Sequence, residues 1–378
     1  MRVLFVIPAF TIGGTISSLL NILEVIKEDQ LCIDFFAISP DGPYREYLVQ
    51  YGKVLNGRQN SDHQQSFSLS LIVRKLKRVL EKIGIDITPM VFKRMALSLE
   101  KNNYDVVIAF QEGYSTHLVS LFKHTYKIAW VHCDYQSYLR LSKRKPETKS
   151  YNKIDKVVCV SKYTLTQFQN SINHKNAICI YNLILDNKIR ALSNVIIDES
   201  LFPCDKVCLV SVGRFHPIKR FSSIPGIISL LKKQVRAGFV WYLIGGGNED
   251  EQEKIIKAKN KYGADELVLL GEKTNPYPFI SRANIYVCTS ESEACPYTIN
   301  EAKILGIPVV STRFGSVNEF LTHEYDGLIS DDEGMASAIA RMINDQGLYH
   351  EIKKNLSHFE YPNNQISDSL KKYVLDIQ

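Results

Sequence analysis

Two glutamates, Glu293 and Glu301, bracket seven residues inside the run TSESEACPYTINEAKILGIPVVS, Thr289 to Ser311. A strand-like stretch, Ile285 to Cys288, precedes them and another, Pro308 to Thr312, follows, so the segment reads as strand, loop, helix, strand. Open α/β sheets bind ligands at the carboxyl ends of their strands. Glu293 then falls in the binding loop, and Glu301 lies about one turn into the helix with its side chain tilted back toward the helix start. Both carboxylates would face one pocket. The amides near Tyr297, Thr298 and Ile299 present the positive end of the helix to an anion. Carboxylates accept paired hydrogen bonds from vicinal hydroxyls while amides hold phosphate oxygens, so this pattern suits a sugar carried on a diphosphate. A capped helix with one exposed acid is the competing reading of the spacing.

Other residues fit the same ligand. The run VGRFHPIKRF places Arg214 and Lys219 in a strand-end loop, a planar fork and a mobile point charge that together would neutralise a departing diphosphate. Gly245-Gly246-Gly247 follows WYLI as a close-approach turn, and a nucleotide base has room against Gly271, Glu272, Lys273 and Thr274. Gly315 and Glu319 close the set. Near the amino terminus, Gly13 and Gly14 lie at a strand-to-helix turn, where a plain tight turn is the alternative. His132 follows the strand Lys127 to Val131, at a position open either to a cleft or to a buried structural histidine.

These residues need two wound sheets to hold them. The chain of 378 residues is long for one core and suits two domains, and its 45% hydrophobic and 10% aromatic content is that of a globular protein. Strands are expected at residues 2–7, 33–38, 105–110, 127–131, 156–160 and 176–181. A second series is expected at 207–212, 239–245, 267–270, 285–288, 308–311 and 327–330, with helical runs between most of them. The fold class is α/β, two Rossmann-like domains facing each other across a cleft. The expected division is 1–185, a linker at 186–206, a second domain at 207–360, and a carboxyl-terminal helix at 361–378 that crosses back to the first.

Eight cysteines are scattered with no pair at CxxC spacing, as expected of buried thiols in a reducing cytoplasm. Met1 runs directly into the strand-like RVLFVI, so no secretory leader is expected, and no apolar run approaches membrane-spanning length. The net charge of +6 is uneven, +9 over residues 1–185 and −3 over the remainder, which points to an anionic partner of the first domain. An amphipathic helix at 69–83 carries Leu69, Ile72, Val73, Leu76, Leu80 and Ile83 on one face and cations on the other. It suits either an anionic membrane interface or its own sheet. A second basic run, Arg140 to Lys149, reads as a mobile loop. No feature points to nucleic acid.

Taken jointly, the pattern resembles the retaining glycosyltransferases of family 4, which have the GT-B fold. The shared residues are VGRF with the lysine at 212–219, LIGGG at 243–247, LGE at 270–272, the run from Ser290 through Glu301-Ala302 to Gly306-Ile307-Pro308-Val309-Val310, Gly315 with Glu319, and Gly327. In residues 1–185 the likeness is looser, resting on Gly13-Gly14, His132, the VCVS run at 158–161 and Asn182.

The resemblance implies that Arg214 and Lys219 hold the donor diphosphate, Glu301 the ribose hydroxyls and Glu293 the hydroxyls of the transferred sugar. The amides of Tyr297 to Ile299 would assist, His132 would lie near the anomeric carbon, and Gly13-Gly14 would approach the diphosphate. It implies a nucleotide-sugar donor, by family majority a uridine one, and a hydroxyl acceptor on a cell-envelope glycan or lipid-linked saccharide. It further implies retention without a firmly placed protein nucleophile, a cytoplasmic enzyme at most peripheral to the membrane, no cofactor and no metal. Ala294 and Cys295 stand where Gly and Phe are frequent, which bears on the sugar pocket, and Thr15 stands where an acid is often found, which bears on the acceptor. A GT-B nucleotide-sugar epimerase and a non-catalytic nucleotide-sugar-binding subunit are the other readings.

Overall fold

The computed structural model describes residues 1–10, 13–27, 29, 31–39, 42, 44–55 and 88–375. The amphipathic segment 69–83 lies outside the described residues. The chain divides into two units. The first comprises Met1–Val160, Leu165–Ile180 and the chain from Tyr373; the second comprises Ser161–Thr164 and Tyr181–Lys372.

The first unit is built on a parallel sheet of β1 (Arg2–Ala9), β2 (Cys32–Ser39), β3 (Lys53–Leu55), β4 (Val106–Ala109), β5 (Tyr126–Val131), β6 (Lys156–Cys159) and β7 (Ala177–Cys179). The spatial order is β3-β2-β1-β4-β5-β6-β7. β1 is central and apolar on both faces, as a strand covered by helices must be. Leu4 and Val6 join one core with Phe36 and Val107. On the other face Phe5 packs its ring 5.9 Å from Phe35 and 5.8 Å from Phe110. The short β3 has no counterpart among the expected strands; three residues are too few to show a period.

The second unit repeats the plan with β8 (Lys206–Val212), β9 (Gly238–Ile244), β10 (Leu267–Gly271), β11 (Ile285–Cys288), β12 (Val309–Thr312) and β13 (Gly327–Ser330), in the order β10-β9-β8-β11-β12-β13. Side chains alternate between two cores. Leu209, Trp241, Val287 and Val310 face one way; Cys208, Val210, Tyr242 and Tyr286 face the other. In both sheets the strand order reverses beside the first strand, between β1 and β4 and between β8 and β11. Such a reversal opens a crevice at the carboxyl strand ends. All eight cysteines are free thiols.

Two expectations need correction. Residues 186–206 do not form a linker: Asp186–Ser193 is a helix of the second unit, tied to the Tyr277–Arg282 segment by Asn275 Nδ2 donating to Leu192 O at 2.9 Å and by Arg282 donating to Ser193 O at 3.4 Å. The carboxyl-terminal segment begins in the second unit. Asn363 clasps Ile184 through its side chain, accepting from the Ile184 amide at 3.0 Å and donating to the Ile184 carbonyl at 2.6 Å, and only the chain from Tyr373 groups with the first unit. Lastly, the basic run Arg140–Lys149 is not one loop. Helix Tyr135–Ser142 is capped by Asp134, which accepts from the Ser137 amide at 3.3 Å, and helix Thr148–Tyr151 buries Tyr151.

Candidate functional site

The second unit assembles its site where its strand order reverses. The loop after β8 supplies Arg214 and Lys219, and the loop after β11 supplies Glu293. Lys219 ends the short turn Pro217–Lys219, which His216 caps by accepting the Ile218 amide. Two bonds stitch this turn to the opposite loop: Thr289 Oγ1 donates to Lys219 O at 2.8 Å, and the Glu291 amide donates to Ile218 O at 2.8 Å. Lys219 Nζ then meets Glu293 Oε1 at 2.5 Å. Ser290 Oγ donates to the same oxygen at 2.6 Å, and Ser316 Oγ fixes the Glu293 backbone carbonyl at 2.8 Å. Burial pulls the Lys219 ammonium down, but the charge and hydrogen bond of Glu293 more than offset this, so its pKa lies above the ordinary value. The cation is fully charged at neutral pH.

The helix Tyr297–Ile304 starts beside this pair. Pro296 precedes it and offers no side-chain cap, so the amides of Thr298 and Ile299 sit in a first turn without intrahelical acceptors. Thr298 lines a narrow hollow together with Lys219, Ser290 and Glu293. One turn on, Glu301 is 9% exposed and accepts from the Tyr277 phenol at 3.0 Å. Burial raises its pKa to about 7, with the phenol's hydrogen bond pulling the other way. Glu293 and Glu301 thus have different partners, and the buried Tyr286 phenol senses both.

A third group comes from loops laced side by side. The Gly213 amide donates to Ile244 O at 3.0 Å, Phe215 to Gly246 O at 2.7 Å, and Gly245 to Gly271 O at 3.0 Å. A Cβ on Gly245 would lie 1.8 Å from Gly213 O, so only glycine permits this approach. The lacing gathers Arg214, Gly245 and Glu272 at neighbouring strand ends, and Arg214, Glu272, Lys273 and Thr274 are exposed. Lys273 Nζ rests 5.8 Å from the Phe279 ring.

Gly315 and Glu319 do not join the set. Glu319 takes the Lys162 amide at 2.9 Å, the Tyr163 amide at 2.7 Å and the Tyr181 hydroxyl at 2.8 Å, capping the helix Lys162–Ser171. Gly315 makes room for Tyr163, whose ring would stand 2.0 Å from an added Cβ. Their spacing in the sequence serves packing.

In the first unit, Gly13 caps and Gly14 opens the helix Gly14–Ile26, with Gly13 O accepting the Ile16 and Ser17 amides. His132 follows β5. Its ring is half-buried against Phe110, with centroids 4.7 Å apart, and its Nε2 is fully buried without a hydrogen-bond partner among the described residues. Burial lowers its pKa to about 3, so it is neutral near pH 7. The structure adds a residue that the sequence reading missed. Glu112, 9% exposed in the loop after β4, accepts the His132 amide at 3.0 Å, and burial raises its pKa. Only its place at a strand end, in FQEG, could have drawn notice. Tyr277, Ser290 and Ser316 were also missed; Tyr277 and Ser316 reach partners 24 and 23 residues away, and Ser290 braces the Glu293 carboxylate from three residues before it.

Among the described residues no cluster of three or more His, Cys, Asp or Glu side chains could hold a metal ion, and no helix is long and apolar enough to cross a membrane.

Residues 193–358, the part that holds Arg214, Lys219, Glu293 and Glu301, match the family described as Glycosyl transferases group 1. The second unit carries a group 1 glycosyltransferase domain. Relatives share it. The lipopolysaccharide core biosynthesis glycosyltransferase LpsD of Rhizobium meliloti (strain 1021) is 31% identical over 154 residues, 40% of this chain and 43% of that protein, so the match spans less than half of LpsD. An uncharacterized glycosyltransferase of Haemophilus influenzae is 22% identical over 382 residues, covering 97% of this chain and 98% of its own. Among solved structures, Anabaena Alr3699/HepE in complex with UDP and glucose superposes over 100% of both chains with a TM-score of 0.75 and 16% identity. The group 1 domain and its companion unit therefore have the GT-B fold.

Proposed function

We propose that this chain is a retaining glycosyltransferase that moves a sugar from a nucleotide-sugar donor, of the uridine class, to a hydroxyl of a cell-envelope glycan or lipid-linked acceptor. The observation that carries this reading is the Lys219–Glu293 contact at the strand-order reversal, beside the uncapped start of the Tyr297 helix. A cation and a carboxylate lining one hollow with Thr298, from the first turn of that helix, match a diphosphate joined to a polyhydroxylated ring. Arg214 adds a second cation from the same loop.

The reaction breaks the bond between the anomeric carbon and the diphosphate oxygen and forms one from that carbon to the acceptor oxygen on the same face. The acceptor's proton passes to the departing phosphate oxygen. Lys219 and Arg214 stabilise the negative charge that grows on the diphosphate, a role that a metal ion fills elsewhere. Glu293 holds ring hydroxyls and Glu301 those of the ribose.

LpsD, named for lipopolysaccharide core biosynthesis, supports an envelope acceptor, and the UDP-bound HepE structure supports a uridine donor. The exposed cations Arg140, Lys143, Lys145 and Lys149 support peripheral contact with an anionic membrane surface on the cytoplasmic side.

The test is incubation of the pure protein with a panel of nucleotide sugars, following thermal stabilisation and nucleotide release together. A donor that binds the folded chain raises its apparent stability. One uridine sugar should stabilise and slowly release its nucleotide, and Lys219→Ala and Glu293→Ala should abolish the release. Unchanged release by the pure variants would refute these roles.

A further inference from the structure

Glu301 is buried, with no ion pair among the described residues. Among the described residues its hydrogen-bond partner is the Tyr277 phenol, donating to Oε1 at 3.0 Å. The facing titratable groups are Tyr277 from the helix Tyr277–Arg282 and Tyr286 from β11. Tyr277 is itself braced. Asn275 Oδ1 accepts its amide at 3.3 Å while Asn275 Nδ2 donates to Leu192 O at 2.9 Å. Pro278, Phe279 and Ile280 behind it are buried, and Arg282 ties the end of the helix to Ser193 O. The phenol therefore has a fixed origin, two bonds removed from the helix Asp186–Ser193.

We propose that Tyr277 is a positioning residue for the donor's ribose: by occupying Oε1 it fixes the Glu301 carboxylate in the one orientation in which its remaining lone pairs meet both vicinal hydroxyls. This rests on the donor reading above and names what that reading lacks, the group that holds a buried acid in its accepting form. An ionised carboxylate is acceptor-only, whereas a protonated one turns an acceptor into a donor. Hydroxyl recognition by Glu301 consequently depends on the ionised state, and a donated phenol hydrogen bond favours that state. Phenylalanine would keep the ring and remove the bond. Affinity for a ribose diol should then be weaker at neutral pH and recover only at higher pH.

The measurement is calorimetric titration of the whole chain with UDP, and in parallel with 2′,3′-dideoxy-UDP, between about pH 6 and about pH 8.5, spanning the carboxyl's shifted titration. Wild-type affinity for UDP should fall as pH drops through about 7. Tyr277→Phe should weaken UDP binding about tenfold at pH 7, the worth of one hydrogen bond to a charged group, and shift the midpoint to higher pH. Glu301→Gln should remove the pH dependence. The dideoxy nucleotide should bind wild type and Tyr277→Phe alike, with no such midpoint. An unchanged affinity and midpoint in Tyr277→Phe would overturn the assignment. So would an equal loss for both nucleotides, because it would mean that the ring, not the bond to Glu301, matters. Failure of wild type to bind UDP at any pH is a separate outcome that removes the uridine donor reading and this inference with it.

Discussion

The strand ends of the two units hold acids by different means. In the second unit Glu293 is met by an ammonium and a hydroxyl, Lys219 Nζ at 2.5 Å and Ser290 Oγ at 2.6 Å. In the first, Glu112 is met by the His132 backbone amide, beside an imidazole that burial keeps neutral. One arrangement pairs two charges, and the other sets a carboxyl whose pKa burial raises against a backbone amide. A cradle of charges suits a charged ligand such as a diphosphate, and a cradle of dipoles suits uncharged hydroxyls, for which a fixed cation would be an unbalanced cost. The first unit's basic excess lies elsewhere, on exposed side chains such as Lys143 and Lys145.

The largest effect should come from breaking the charged pair. Lys219→Ala leaves Glu293 mostly buried with Ser290 as its side-chain partner. Loss of one member of a buried pair costs about 3 kcal/mol, less here because the two side chains remain 23% and 15% exposed. Urea unfolding at neutral pH should show this loss, and the double variant Lys219→Ala/Glu293→Ala should recover part of it. A double variant no more stable than Lys219→Ala would mean that the pair is not a unit, and the contrast between the two cradles would weaken.

How much of this was visible in the sequence follows the same division. In the second unit the strand positions, the loop placement of Lys219 and Glu293, and Glu301 one turn into its helix were all legible. The reason is physical: each residue's position follows from its own strand-loop-helix periodicity. Partners joined across the fold left no such mark. Tyr277 reaches Glu301 from another helix, and Glu319 is indistinguishable by spacing from a ligand-binding acid although it caps the Lys162–Ser171 helix. In the first unit Glu112 touches a backbone amide, which carries no side-chain identity to read. Helix Asp186–Ser193 reads as part of a linker because its surface is mostly polar, and its partners Asn275 and Arg282 lie far along the chain.

A middle-sized effect separates the two acids whose pKa is raised to different ends. Glu301 holds its proton more tightly in the folded chain than at its ordinary value of 4.5, so its stabilising contribution is full below that value and is lost as pH rises through about 7. Without donor, Glu301→Gln should therefore be more stable than wild type at about pH 8, while matching it near pH 4. Thermal unfolding across this window, read with and without UDP, checks the sign. UDP should narrow the gap, because ribose hydroxyls reward the ionised acid in wild type. A gap that is constant with pH would assign the difference to packing rather than to the proton.

The smallest effect tests the dipolar cradle directly. Glu112→Ala orphans the His132 amide and frees the loop after β4, a loss of about 1–2 kcal/mol for a buried donor left unsatisfied. Glu112→Gln keeps an acceptor oxygen in place and should restore most of that, since the amide asks only for a lone pair. It also removes an acid whose pKa burial raises, so its stability relative to wild type should improve as pH rises. The comparison is sharp because the same exchange at Glu293 offers Lys219 no charge in return. If Gln replaced Glu as poorly at 112 as at 293, the first unit's site would depend on the negative charge after all, and an acid, not a dipole, would be what its strand ends supply.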